Sequence, residues 1–289
     1  MRLHVVDGTY ELFRSHFGPP QRFAPDGRPV GAVVGLLASL LKLLRDEDIS
    51  HAAVATDREI RSFRNDLFAG YKDGAAIDPV LLEQFSLAER AIAALGLVGW
   101  HMVEFEADDA LATAAIRYRD AFEQIILVTA DKDVSQCVDD ARVVVLDRSK
   151  GTLLDEDGVR QRYGVSPASV PDYLALAGDA ADGIPGLPGW GAKSAAAVLA
   201  RYGHLETIPA DAGAWDVEVR GAAKLATTLQ ERRDAAFLYR ELATLRTDVP
   251  LAESASALAW RGVPREPFLA FCDEVGAGGL RTRPHRWAP

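Results

Sequence analysis

Four short apolar runs that each end on an aspartate constrain this chain more than any other feature. LHVV (3–6) ends at Asp7, AAVAT (52–56) at Asp57, QIILVTA (124–130) at Asp131 and ARVVVL (141–146) at Asp147. A strand that is apolar on both faces has to be covered on both faces, which is the situation of a parallel sheet between helices. The intervening segments read as those helices. In AVVGLLASLLKLLRDE (32–47) the apolar residues nearly encircle the axis. In PVLLEQFSLAERAIAALG (79–96), Leu81, Phe85, Ala88, Ile92 and Leu95 form one stripe, with Gly96 as a C-cap. This alternation predicts an α/β domain over residues 1–165. Ligands of open α/β sheets collect beyond the carboxyl ends of the strands, where Asp7, Asp57 and Asp131 stand. Turn chemistry accounts for one such aspartate, and less easily for three.

Further carboxylates join them. VEFEADDALATAA (103–115) places Glu106, Asp108 and Asp109 at a helix start, where acids are favoured by the exposed N–H groups of a first turn. TADKD (129–133) adds Asp133 to Asp131, and GDAADGIPG (178–186) supplies Asp179 and Asp182. The nine acids are expected to fold into one pocket. Carboxylates a few ångströms apart raise one another's pKa unless cations neutralise them. An all-oxygen set without His or Cys favours hard divalent ions such as Mg²⁺ or Mn²⁺. The formal charge of −10 argues against a nucleic-acid partner only if it is spread evenly. Setting nine metal-bound carboxylates aside leaves −1, and metals there would turn a repulsive surface into one that attracts phosphate.

With 48% hydrophobic and 26% charged residues the chain reads as globular. No apolar run approaches bilayer length and no basic-then-apolar leader is evident, so no membrane association and a cytoplasmic location are expected. Cys137 and Cys272 form no motif, and the six histidines show no zinc-ligand spacing, which leaves structural or surface roles for them. After residue 165 the texture changes. PDYLALAGDAADGIPGLPGWGAKSAAAVLARYG (171–203) reads as helix, glycine- and proline-punctuated loop, helix, followed by helical sequence to about 246. Gly189 and Gly191 flank Trp190, and Lys193 and Ser194 open the second helix, whose free N–H groups suit a phosphate. This is a helix-hairpin-helix type of pattern, which holds DNA phosphates without reading bases. Trp100, Trp215 and Trp260 read as packing, and GGLRTRPHRWAP (278–289) as a basic, frayed tail. VVDGT (5–9) is close to the D-x-D-G-T start of aspartyl-phosphate phosphatases, but the nucleophile position holds Val5, so that reading fails.

The stretches VVDGTYELFRSHF, SFRNDLFAGYKDG, EADD, TADKDVSQ and GDAADGIPGLPGWGAKSA occur in this order between Leu3 and about Leu251. In them the chain resembles the 5′→3′ exonuclease/flap endonuclease family. The resemblance implies a PIN-like α/β domain (1–165) with a mainly parallel central sheet and a helical arch at about 58–80. A helix-3-turn-helix DNA-binding region (166–251) and a C-terminal extension with a basic tail (252–289) would follow. It implies Asp7, Asp57, Glu106, Asp108, Asp109, Asp131, Asp133, Asp179 and Asp182 as ligands of two Mg²⁺ or Mn²⁺ ions, with Asp7, Asp109 and Lys72 catalytic. Tyr71, Lys72, Arg64, Gly189, Trp190, Gly191, Lys193 and Ser194 would contact DNA, Tyr71 by stacking on a base, with a K⁺ ion at the hairpin turn. The expected activity is metal-dependent hydrolysis at 5′ ends, nicks and flaps of DNA, leaving a 5′-phosphate, by a monomeric stand-alone nuclease. Ala75 stands where relatives often carry arginine, which implies weaker phosphate steering in the arch. The alternatives are a non-catalytic branched-DNA binder of the same fold and an RNA-directed nuclease of the wider class.

Overall fold

The computed structural model describes residues 1–18 and 21–289. In chain order its principal elements are β1 (Arg2–Asp7), α1 (Gly8–Phe17), α2 (Gly31–Asp46), β2 (His51–Asp57), α3 (Arg64–Leu67), α4 (Pro79–Leu82), α5 (Phe85–Ala94), β3 (Val98–Met102) and α6 (Ala107–Arg117). There follow β4 (Gln124–Val128), β5 (Val143–Asp147), β6 (Thr152–Leu154), α7 (Glu156–Tyr163), α8 (Val170–Ala177), α9 (Ala192–Tyr202), α10 (Ala222–Glu231), α11 (Arg233–Ala243) and α12 (Arg265–Glu274). They form two compact units. The first holds residues 1–60, 74–130 and 246–289, and the second holds 61–73 and 131–245.

In the first unit four strands run parallel in the order β3-β2-β1-β4. Val5 of β1 sits between Ala53 of β2 and Leu127 of β4, and all three are fully buried. That burial on both faces is what the unbroken apolar runs require. Helix α6 packs on β1, β2 and β3, α1 on β2, and α5 on β3. Helix α2 lies against α1 and α5 and buries six leucines along its length. Its amino end has no capping side chain of its own. The buried Gln84 supplies the cap, accepting through Oε1 from the N–H groups of Ala32 at 3.0 Å and Val33 at 3.2 Å. Gln84→Ala is expected to strand both donors in the core and lower unfolding stability by about 2 kcal/mol, read from the urea midpoint at unchanged slope. His4 is buried in β1, neither ring nitrogen has a hydrogen-bond partner among the described residues, and burial lowers its pKa to about 4. It is a neutral core residue.

The second unit is mainly helical. β5 and β6 form a short antiparallel ribbon, α11 packs along α8, and α8 meets α9 through the glycine-rich hairpin.

Three segments differ from the sequence reading. β3 was not anticipated, because VGWHM buries only its central Trp100, with half-buried residues on either side, and lacks an apolar run. Residues 58–80, expected as a helical arch, hold only the four-residue α3 before α4 begins at Pro79. Gly70, Gly74 with φ +81° and Pro79 break any longer helix here. The C-terminal stretch is docked rather than frayed. Trp287 meets Phe268 edge-on, the Val263 N–H donates to Arg286 C=O, and the Arg286 guanidinium donates to the C=O groups of Ile49 and Trp260 at 3.1 Å. These partners lie far away in sequence, so composition alone could not reveal them.

Candidate active site

In the first unit, five of the predicted acids stand where β1 and β2 end and α6 begins. Asp7 caps α1, accepting from the Tyr10 N–H at 2.8 Å through Oδ1 and from the Thr129 hydroxyl at 2.8 Å through Oδ2. Asp57 is fixed from both sides: its N–H donates to Thr9 Oγ1 at 2.7 Å, and its Oδ1 accepts from the Ala107 N–H at 2.7 Å. Glu106 and Asp109 form a capping box at the start of α6, in which the Glu106 N–H donates to Asp109 Oδ2 at 2.9 Å. The other Asp109 oxygen accepts from the Arg246 N–H at 2.8 Å. Asp108 lies between them in the first turn. Capping therefore explains part of this acidic cluster. It does not explain why Asp7, Glu106 and Asp109 are all buried at one end of a parallel sheet.

The other four acids belong to the second unit. The Asp133 N–H donates to Asp131 Oδ1 at 3.0 Å, so TADKD folds into a tight turn. The loop carrying Asp179 and Asp182 is closed by a two-residue bridge, with Asp179 and Ile184 exchanging N–H to C=O bonds at 2.7 and 2.8 Å. Asp133, Asp179 and Asp182 are all buried, and one carboxylate oxygen from each lies within 4.8 Å of the others. Burial, and then the charge of Asp131, push the Asp133 carboxyl well above the usual carboxylate range. Burial and Asp182 raise Asp131 in the same way. Two lysines face this set: Lys72 Nζ is 2.9 Å from Asp182, and Lys132 Nζ is 2.7 Å from Asp179. Asp133 Oδ1 is buried without a hydrogen-bond partner among the described residues. An oxygen-only donor set with a buried, unmatched carboxylate oxygen fits a hard divalent ion.

Several predicted DNA contacts are placed differently. Arg64, expected at the DNA interface, is buried, because its guanidinium stacks on Phe63 and donates to the C=O groups of Leu242 and Thr244 at the end of α11. Tyr71, expected to stack on a base, is 4% exposed. Trp190 is also packed inward, its indole N–H on Leu225 C=O and its ring against Trp215. The hairpin itself keeps its expected form. Gly189 has φ +83°, Ser194 closes the turn by hydrogen bonds at 3.0 Å to both the N–H and C=O of Gly191, and Lys193 is exposed in the first turn of α9. A cleft of about 560 Å³ opens between this hairpin and residues 218–220.

Two residues that contact the acidic set were not singled out from sequence: Lys132, which pairs with Asp179, and Gln136. Gln136 ties the acidic turn to the end of α11, donating from Nε2 to Asp133 C=O at 2.8 Å and Ala243 C=O at 3.0 Å, and accepting from the Leu245 N–H at 3.0 Å. Arg64 grips the same short backbone stretch. A glutamine three residues after Asp133 carries no signal of its own, since its partners are distant backbone groups.

Carboxylates at the ends of parallel strands, a buried acidic trio and a glycine hairpin that exposes N–H groups beside a lysine are the layout of a metal-dependent nuclease. Residues 2–164 match the 5′-3′ exonuclease N-terminal resolvase-like domain and residues 165–266 the 5′-3′ exonuclease C-terminal SAM fold. The chain belongs to the 5′→3′ exonuclease family and is an enzyme of that class. It is 36% identical over 283 residues to DNA polymerase I of Pseudomonas aeruginosa, covering 94% of this chain and 30% of that protein. It is 32% identical over 287 residues to DNA polymerase I of Bacillus subtilis, covering 98% and 32% respectively. The chain thus spans about a third of the length of these relatives. Among solved structures it superposes on T5 5′-exonuclease bound to zinc, with TM-score 0.68 at 18% identity over 96% of this chain and 99% of that one. The catalytic core of Rad2 in complex with DNA substrate gives 0.62 at 16% identity, over 95% and 87%. These structural likenesses establish the fold. No helix among the described residues is long and apolar enough to cross a membrane.

Proposed function

We propose that this chain is a structure-specific 5′ nuclease that hydrolyses phosphodiester bonds at 5′ ends, nicks and flaps of DNA, leaving a 5′-phosphate. The observation that carries the reading is the buried trio of Asp133, Asp179 and Asp182, with oxygens within 4.8 Å of one another and one Asp133 oxygen without a hydrogen-bond partner among the described residues. In this reading Asp7, Asp57, Glu106, Asp108 and Asp109 would hold one divalent ion, and Asp131, Asp133, Asp179 and Asp182 would hold a second. When bound, such ions lower the pKa of an attacking water and stabilise charge on the leaving oxygen. Mg²⁺ or Mn²⁺ suits the donors.

The chain's own groups supply the rest. Lys72, whose ammonium sits on Asp182, is the cation available to phosphate charge that grows toward the transition state. Asp7 and Asp109 are held by N–H and hydroxyl donors that fix their orientation. The Gly189–Gly191 turn and Lys193 would hold the duplex backbone, with Ser194 bracing the turn, and the turn would also be the place to hold a K⁺ ion. Arg64 supports the segment that carries Lys72. Tyr71 meets a base only if residues 70–72 open, which makes stacking a property of the DNA-bound state. Residues 1–165 and 166–251 serve as nuclease and DNA-binding regions of a monomer, with 252–289 as the extension.

The test is cleavage of end-labelled 5′-flap, nicked and single-stranded DNA with and without Mg²⁺. Asp108→Ala is expected to abolish cleavage while leaving flap affinity in EDTA or Ca²⁺ within about threefold, the scale of a change that spares most phosphate contacts. Tight flap binding by the wild-type chain with no Mg²⁺-dependent cleavage would favour the non-catalytic binder instead.

A further inference from the structure

We propose that Lys132 is a resident counter-ion that weakens divalent-ion binding at the acidic set of the second unit. This rests on the nuclease reading of those acids and adds a role for a residue that reading leaves aside. Lys132 is the fourth residue of TADKD, between two of the predicted ligands, and its ammonium reaches neither of them directly. It crosses to Asp179 on the other loop, 2.7 Å away. Asp179 is 3% exposed and Lys132 is 36% exposed, so the carboxylate is buried while the lysine stem has an open route to water.

The charges make the pairing consequential. Asp131, Asp133, Asp179 and Asp182 would carry four negative charges in one small volume. Lys72 on Asp182 and Lys132 on Asp179 halve that. A lysine ammonium 2.7 Å from a buried carboxylate, on a stem that is open to water, is a charged partner at neutral pH. The two lysines offset part of the mutual repulsion and hold Asp179 and Asp182 in place without a metal.

The same charge opposes an incoming ion. A divalent cation bound through Asp179 would share that carboxylate with an ammonium in contact with it. Two like charges at such a separation interact strongly even when water moderates them. The cost is limited because the lysine can swing outward. The result is an ion that binds only as tightly as the lysine allows, and more readily once DNA phosphate adds negative charge. Lys132 acts through Asp179 and is a positioning and tuning residue, not a catalytic one.

The test is direct Mn²⁺ binding to the full chain without DNA, by calorimetry and by the electron spin resonance of free Mn²⁺ at low salt. Lys132→Met is expected to bind Mn²⁺ at the acids of the second unit at least about tenfold more tightly than the wild type, an effect that shrinks as salt screens it. Lys132→Arg, which keeps the charge, should stay close to the wild type. In EDTA the Lys132→Met protein should melt at a lower temperature than the wild type, and Mn²⁺ should raise its Tm by more. A merely structural lysine would give the opposite pattern, with ion affinity and stability falling together. Lys132→Gln replaces the Met variant if that variant does not fold in EDTA. Equal or weaker Mn²⁺ binding by a folded, uncharged variant overturns the proposal while the nuclease reading stands. A wild-type chain that binds no Mn²⁺ and cuts no DNA overturns both.

Discussion

Asp133→Asn is expected to lower Mg²⁺-dependent cleavage on the order of 10²–10³-fold, the scale of losing one group that stabilises transition-state charge, while making the protein more stable in EDTA. The two effects have one origin. Asp133 is 4% exposed, one of its oxygens has no hydrogen-bond partner among the described residues, and burial with the charges of Asp131, Asp182 and Asp179 raises its pKa well above the usual 3.8. A raised carboxyl pKa means that the folded chain binds this proton more tightly than the unfolded one. Without metal, the benefit is complete below the ordinary carboxylate pKa and is lost as pH rises through the folded-state value. Wild-type stability in EDTA should therefore fall from pH 4 upward by more than that of Asp133→Asn. At pH 8 the variant should be more stable by roughly 1–2 kcal/mol, the scale of a buried polar group relieved of an unmatched charge. Saturating Mg²⁺ should reverse the order, because only the wild type keeps the full ligand set. Urea melts with EDTA and with Mg²⁺, at pH 5 and pH 8, give all four comparisons. A variant that is less stable in EDTA at pH 8 would mean that Asp133 is a satisfied structural carboxylate.

The fold was legible wherever local pattern and tertiary burial agree. β1, β2 and β4 announce themselves because strands covered on both faces have to be apolar throughout. The aspartates that end them mark the functional edge of the sheet for the same reason, since a charge stops an apolar run where the covering helices stop. β3 escaped because its Trp100 is buried by a side-chain contact, an indole N–H on Glu253, rather than by a run of neighbours. The docked C-terminus escaped likewise: Arg286 and Trp287 find partners in Ile49 and Phe268 that only the folded chain brings near. At the candidate site the acids could be read because carboxylates in excess are conspicuous. Their supports could not. Gln136 and Arg64 act by hydrogen bonds to main-chain carbonyl groups, which have no sequence identity to read. Arg64 shows the risk in the other direction. A guanidinium in a motif suggests phosphate, but here its charge is spent on the free carbonyls of a helix C-terminus, a stable use for a cation.

Gly183→Ala should be the most damaging single-methyl change in the second unit. Gly183 has φ +76°, which an alanine adopts only with strain, and an added Cβ would lie 2.2 Å from the carbonyl oxygen of Gly70 and 3.3 Å from its carbonyl carbon. The obstacle is backbone, so no rotamer change relieves it. The segments have to part, and they are the ones that join Lys72 to the acidic loop: the Lys72 N–H donates to Asp182 C=O at 3.0 Å, and the ammonium reaches the Asp182 carboxylate at 2.9 Å. Parting them should cost about 2–4 kcal/mol in stability, combining left-handed strain with overpacking. It should lower kcat about 10²-fold, the usual penalty for moving a charged group by an ångström. Gly279→Ala, where an added Cβ meets nothing within 4 Å, is the control for adding a methyl group and should change neither quantity appreciably. A double-mutant cycle separates misplacement from general damage. If Gly183→Ala acts by moving Lys72, then adding it to Lys72→Ala should cost little further activity, because the displaced group is already gone. Fully additive losses in kcat would show that the glycine serves the loop of Asp179 and Asp182 itself, with Lys72 a bystander.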